Sequence, residues 1–217
     1  MRNEAYFLRL ARSLRHPVAT AEVVLDREER PGLLVTRFDR EIVNGQVRRL
    51  AVEDGLQLMG RYPAEKYSVS AEDVTAAVAR VCAARPVALR AVFLQFAYAW
   101  LTGNGDLHAK NISVLHTGRE WRVSPIYDVP SGLHYGDHTK ALPLQGRLEN
   151  LVRVRFLDFA AAIGLPQRAA ERAIDEVLGV TERIPADLRA GALPFTDRTI
   201  YNVTRSLARR RREMLPS

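Results

Sequence analysis

The sequence predicts an α+β fold, with a small antiparallel sheet region near its start and a mainly helical region after it. Three observations carry that expectation. Short β-prone runs crowd into positions 20–49, and one stretch, "REIVNGQVRRL", sets Asn44-Gly45 between two of them. Asn-Gly readily takes the two positive φ values that a two-residue hairpin needs. From about Val52 the apolar residues change to helical spacing, and only "ISVLH" and "EWRVSPI" interrupt it with further short strands.

The elements follow in order. "NEAYFLRLARSL" places Phe7, Leu10, Ala11 and Leu14 on one helical face, and Pro17 stops that helix. "TAEVVLD" reads as a strand, "REERPG" as a turn and "LLVTRF" as a second strand, ahead of the Asn44-Gly45 hairpin. Ser70 with Asp73 three residues on forms a capping box before "VTAAVARVCAA". Pro86 suits the opening of the next helix, with Val87, Leu94, Ala97, Tyr98 and Leu101 expected in the core and Trp100 a packing residue. Gly103 and Gly105 end it. "TGR" joins the next two strands, and "YDVPSGLHYGDHTKALPLQG", aperiodic and with three turn-forming glycines, reads as a long functional or mobile loop. Helices are expected at 151–163, 167–178 and Asp197–Met214, punctuated by Gly164, Pro166, Pro185 and Pro194. The division expected is a sheet-bearing unit over 1–50 and a helical unit over 51–217.

The 217 residues, 47% hydrophobic and 26% charged, suffice for one substantial core or two small lobes. The single cysteine, Cys82, forms no internal disulfide and reads as a buried structural thiol. No opening apolar segment resembles a signal peptide, and no apolar run approaches the ~20 residues that span a bilayer, so a cytoplasmic protein without membrane contact is expected. A net charge of +7 suggests an acidic partner, whether nucleic acid, nucleotide or protein surface. Much of the excess lies in "SLARRRREM", which reads as a solvated last helical turn, where cations suit the helix dipole.

Chemistry concentrates in "GNGDLHAKN", residues 103–111, directly after the apolar run "AVFLQFAYAWL". Phosphoryl transfer to a hydroxyl uses one carboxylate to position the hydroxyl and take its proton. It uses an amide and a second carboxylate to hold Mg²⁺ against the ATP phosphates. In protein kinases the order is Asp, four residues, Asn, then an Asp after a short pair of strands; Asp106, Asn111 and Asp128 repeat it. Spacing alone also allows Asp106 to cap a turn, Asn111 to open a strand and Asp128 to form an Asx-turn. A metal-dependent hydrolase is a further reading, built on His108, His116, His134 and His138 with Asp106, Asp128 and Asp137. The glycines in "GLHYGDH" argue against a helix there, and no His-Glu-x-x-His pattern is present.

"GNGDLHAKNISVL", "SPIYDVPS", "NEAYFLRLA" and "LLVTRFDR" together resemble the HipA family of bacterial serine/threonine kinases, best known as toxins of toxin–antitoxin pairs. The resemblance runs from Asn3 to near the C-terminus. It implies a kinase-like fold, with a truncated small antiparallel sheet lobe followed by a mainly helical large lobe, and ATP and Mg²⁺ as cofactors. It further implies that Asp106 is the catalytic base, with His108 and Lys110 in the catalytic loop and Asn111 and Asp128 as magnesium ligands. "TRFDR" resembles the hinge, so Thr36 and Phe38 would meet the adenine, with Tyr127 also on the nucleotide side.

Two departures stand out. Asp128 is followed by Val-Pro where eukaryotic kinases have Phe-Gly. The family's phosphate-covering loop and strand Lys precede the region matching Asn3, and the one early Lys here, Lys66, follows the hinge. The expectation is therefore the back part of a HipA-like kinase; the alternative is an inactive kinase-like fragment that binds a partner. Partners implied are a helix-turn-helix antitoxin, a separately encoded N-terminal piece and a protein substrate such as an aminoacyl-tRNA synthetase. DNA would be met only indirectly, through the antitoxin.

Overall fold

A computed structural model describes residues 1–216. Helix α1 (Arg2–Ala11) is followed by the strands β1 (Ala21–Leu25), β2 (Pro31–Val35), β3 (Arg40–Val43), β4 (Gln46–Arg49) and β5 (Val52–Asp54). Then come α2 (Gly55–Leu58), α3 (Ala71–Val81), α4 (Arg85–Thr102), β6 (Ser113–His116) and β7 (Trp121–Val123). Four helices finish the chain: α5 (Arg153–Ile163), α6 (Gln167–Thr181), α7 (Ile184–Arg189) and α8 (Asp197–Met214).

The β1–β2 and β3–β4 pairs are separate antiparallel hairpins, and Asn44 (φ 52°) and Gly45 (φ 77°) make the tight turn that the sequence predicts. A third sheet, β5-β6-β7, was not expected at its first strand. Val52 pairs with Leu115 and Asp54 with Ser113, and Asp54 then caps α2 by accepting from the Gln57 N–H at 2.8 Å. Three residues are too few for a strand alternation to show, so the helical spacing beyond them masked β5.

Helix α4 is the hub. Its residues are buried on every side from Ala88 onward, apart from half-buried Arg90. Around it Phe93 stacks on Phe159 at 5.6 Å, and Phe96 meets Phe159 edge-on at 5.6 Å. Tyr98 donates to the Phe7 carbonyl at 2.6 Å, tying α1 to α4. Leu94, Ala97, Tyr98, Trp100 and Leu101 are buried as expected, but Val87 is 66% exposed because the first turn of α4 projects beyond its neighbours. Pro185, read as punctuation, lies instead in the first turn of α7, where a missing N–H costs no helix hydrogen bond.

One member of the C-terminal basic run departs from the solvated reading, while Arg209 and Arg212 are exposed as expected. Arg210 is buried: its Nη1 donates to the Trp100 carbonyl at 2.7 Å and its Nη2 to the His138 carbonyl at 2.8 Å. Its guanidinium lies 4.0 Å from the Trp100 ring centre, a cation–π arrangement that offsets part of the desolvation. The aperiodic 127–146 segment carries one short 3₁₀ turn, Leu133–Tyr135, and is held to the body by buried Leu133, Leu142 and Leu144.

Candidate active site

Gly103 ends α4 in the left-handed region (φ 72°) and turns the chain out of the core. Asn104, buried just beyond it, uses both ends of its amide. Its Oδ1 accepts from the Asp106 N–H at 2.9 Å, and its Nδ2 donates to the Asp128 carbonyl at 3.4 Å. One side chain thus sets the two carboxylate-bearing segments against each other. Asp106 is exposed, and its Oδ1 accepts from the Tyr67 hydroxyl at 2.9 Å.

His108 is buried behind Asp106, with its ring edge against Tyr67 at 5.4 Å. Its backbone N–H donates to the Asp106 carbonyl at 2.8 Å and to Asn111 Oδ1 at 3.2 Å. Burial lowers its pKa, the charge of Asp106 opposes that shift, and Lys66 adds to it. Burial thus favours the neutral ring. Lys66 lies with Nζ 4.7 Å from the Tyr67 ring centre, and its carbonyl accepts from the Ala109 N–H at 3.4 Å, so residues 66–67 pack on this loop. The Lys110 side chain is exposed, while its carbonyl accepts from the Tyr127 hydroxyl at 2.7 Å.

Asn111 is buried and its Nδ2 donates to Asp128 Oδ2 at 2.5 Å, across seventeen positions of chain. Asp128 holds φ at 55°, a left-handed conformation that costs a non-glycine residue about 1 kcal/mol or more and recurs at functional sites. Several contacts hold it there. Upstream, Val18 bridges Ile126, and His16 Nε2 meets the Ser124 carbonyl at 2.8 Å. Downstream, Asn3 clamps Ser131, donating to its carbonyl and accepting from its N–H, each at 2.9 Å. Glu4 sits near enough that burial, and then the Asp128 charge, raise its pKa.

Tyr127 joins the segment between β2 and β3 to this frame. Its hydroxyl also meets Ser113 Oγ at 2.6 Å, and its ring lies 5.6 Å from that of Phe38. Thr36 donates its N–H to the Thr20 carbonyl at 2.8 Å. Among the described residues, the Thr36 carbonyl and the Phe38 N–H have no hydrogen-bond partner.

The structure thus gathers Asp106, His108, Asn111 and Asp128 in one frame, and brings Phe38 to it through Tyr127. It does not gather the histidines. His116 packs on Trp121, His134 packs on Phe195 and contacts Asn3, and no group of three or more His, Cys, Asp or Glu poised for a metal occurs among the described residues. Sequence reading missed Asn3, Glu4, His16, Tyr67 and Asn104. Only Asn104 carried a local signal, as the polar residue between two glycines.

For a divalent cation, Asn111 and Asp128 offer an amide and a carboxylate side by side. Half a turn of the Asn111 amide, which gives up the bond its Oδ1 accepts from the His108 N–H, turns its oxygen toward Asp128 and gives two hard oxygen donors. That set suits Mg²⁺, which takes one or two protein oxygens and completes its shell with water and phosphate. The residues fit the ion.

A family model described as the HipA-like C-terminal domain matches residues 1–184. The chain is 30% identical over 201 residues to Y4mE of Sinorhizobium fredii, covering 85% of this chain and 47% of that protein. It is 29% identical over 204 residues to the serine/threonine-protein kinase toxin HipA of Shewanella oneidensis, covering 84% of this chain and 46% of that one. The chain therefore spans about half the length of these relatives. In fold it is similar to the Shewanella oneidensis HipA solved with HipB and operator DNA, at a TM-score of 0.80 and 24% identity over 98% of this chain and 55% of that one. It is also similar to the Helicobacter pylori proinflammatory kinase CtkA, at a TM-score of 0.60 and 15% identity over 98% of this chain and 82% of that one. The fold is α+β and kinase-like.

Proposed function

The chain belongs to the HipA-like C-terminal domain family, and from that premise we propose that it is the catalytic-loop portion of a serine/threonine protein kinase, moving the γ-phosphoryl group of ATP to a protein hydroxyl. The observation that carries this reading is the Asn111–Asp128 contact, held by Asn104 in one frame with the exposed Asp106. Exposed Asp106 orients the substrate hydroxyl and accepts its proton; Asn111 and Asp128 would hold Mg²⁺. When bound, the ion supplies charge neutralisation at the phosphates.

His108, buried, positions the loop through its backbone N–H, and exposed Lys110 supplies a cation on the same loop. The Thr36 carbonyl and Phe38 N–H receive the adenine edge, with Tyr127 packed behind Phe38. On this reading residues 1–50 belong to the small lobe and 51–217 form the large lobe. The protein works in the cytoplasm with a helix-turn-helix antitoxin, as the Shewanella relative is solved with HipB, and meets DNA only through that partner. Its substrate class is a protein of translation such as an aminoacyl-tRNA synthetase.

A second reading is a kinase-like module that binds a partner without transferring phosphate. Calorimetry with ATP and Mg²⁺ separates the two. Weak, Mg²⁺-dependent binding by the chain is expected, kept in Asp106→Asn and lost in Asp128→Asn. In a version joined to the segment that precedes the matched region of the Shewanella relative, Asp106→Asn is expected to cut transfer by ~10² or more at near-normal ATP affinity. Equal transfer by the parent and both variants would reduce Asp106 and Asp128 to turn-formers and end the kinase assignment.

A further inference from the structure

One side of α8, from buried Val203 and Arg210 round to exposed Arg205 and Arg212, lines a cleft of about 650 Å³, closed on the other side by the 133–138 turn and by Glu149 and Asn150. Arg205, Arg209 and Arg212 stand at i, i+4 and i+7, a single stripe about 10 Å long. Buried Arg210 also lines the cleft. Only one carboxylate, Glu149, shares the lining with these four guanidiniums.

The pairing of the arginines differs between faces. On another face of the helix Arg211 meets Glu182 at 3.4 Å and the Leu178 carbonyl. In the cleft Arg205 and Arg212 are exposed and have no ion pair among the described residues. Arg209 reaches Glu213 at 3.4 Å and Asn150 Oδ1 at 3.2 Å. Arg210 is 2% exposed and has no carboxylate within ion-pair distance. It is fixed by the Trp100 ring and engages two of its five N–H donors, both on carbonyls. A buried guanidinium in this state is costly unless further acceptors reach it.

The remaining polar lining on α8 is hydroxyl and amide, from Thr199, Ser206 and Asn202, with the imidazoles of His134 and His138 on the opposite wall. Forked guanidiniums backed by neutral donors are the recognition chemistry of a tetrahedral oxyanion rather than of a cation or an apolar ligand. The volume lies in the range of small-ligand pockets. We propose that this cleft is a phosphate-binding site, separate from the Asp106–Asp128 frame, that takes a free oligophosphate or a phosphorylated side chain. Its wall includes His134, adjacent in space to Asn3, which clamps the chain three residues beyond Asp128. An occupant would therefore brace the segment that leaves the candidate active site.

The test is calorimetry on the full chain at physiological salt without Mg²⁺, using tripolyphosphate in one arm and a phosphoserine peptide with its unphosphorylated counterpart in another. Binding is expected in one or both phosphate arms, weakened tenfold or more in the Arg205→Gln/Arg212→Gln double variant. It should be unchanged in Arg27→Gln/Arg119→Gln, which removes equal charge from exposed positions outside the cleft. It should also survive Asp128→Asn, which on the kinase reading disables Mg²⁺–ATP binding, so the two proposals fail independently. No binding of either phosphate probe, or equal loss in both double variants, overturns the site. Tight binding of duplex DNA with neither phosphate probe bound would overturn it in favour of a general polyanion surface.

Discussion

Lys140 holds an ammonium group away from water. Its Nζ lies 3.4 Å from the Phe96 carbonyl and 5.4 Å from the Phe96 ring centre, and no carboxylate pairs with it among the described residues. Burial, and then the neighbouring Arg210 charge, push its pKa down from the ordinary 10.5 to about 7. Between those two values the unfolded chain binds the proton that the folded chain releases. Stability from this group therefore rises with pH across that window, and the full cost is carried below about 7. Lys140→Met is expected to melt higher than the parent at pH 6.5, with the gap closing toward pH 10. For a chain of this size each kcal/mol moves the midpoint by about 2–4 °C. Equal midpoints at pH 6.5 would show that the ammonium is solvated in solution. Arg210 teaches the same lesson from the other side: a basic run looks solvated in sequence because nothing local reveals the Trp100 face that one of its members covers.

The turn at the end of α4 shows how one element places the site. A Cβ on Gly103 would lie 2.3 Å from Leu133 Cγ, and the residue already holds a positive φ. Gly103→Ala is expected to destabilise the chain by about 1–3 kcal/mol in urea titration. Because Leu133 belongs to the segment after Asp128, Mg²⁺–ATP affinity should fall as well. An unchanged urea midpoint would mean that the close packing of Gly103 on Leu133 is relaxed in solution. The elements that the sequence made legible are those set by local rules. Asn44-Gly45 dictates a hairpin, Ser70 with Asp73 caps α3 reciprocally, and α8 spans Asp197–Met214 as its period predicts. Those it hid, β5 and α7, are three and six residues long, too short for periodicity, and β5 finds its partner some sixty positions away. The candidate site divides the same way. The order of Asp106, Asn111 and Asp128 could be read, whereas Asn3 on Ser131 and Tyr67 on Asp106 are long-range contacts with no local signature.

Across the whole molecule, burial is uneven in a way that bears on the site. The helices pack around α4, but the β1–β2 and β3–β4 hairpins are two-stranded, and they turn apolar side chains outward, with Ile42 80% and Leu25 61% exposed. A two-stranded sheet in water is marginal by itself, and local opening energies follow the apolar surface buried beneath each element. Amides of α4 and α6 are therefore expected to exchange with solvent deuterium most slowly, and those of β3–β4 fastest among the paired strands. Thr36 and Phe38, proposed above to meet the adenine, lie between the two hairpins, and Phe38 reaches the buried frame through Tyr127. If nucleotide bridges hinge and frame, ATP with Mg²⁺ should slow exchange around 36–38 and in the strands on either side of it. It should leave α6, which supplies no residue to either, unchanged. Asp128→Asn should abolish that protection while leaving the exchange pattern of the nucleotide-free chain as it was. Protection of the hairpins equal to that of α4 before nucleotide is added would refute the graded stability. Nucleotide-dependent protection that spares 36–38 would move the adenine away from the hinge.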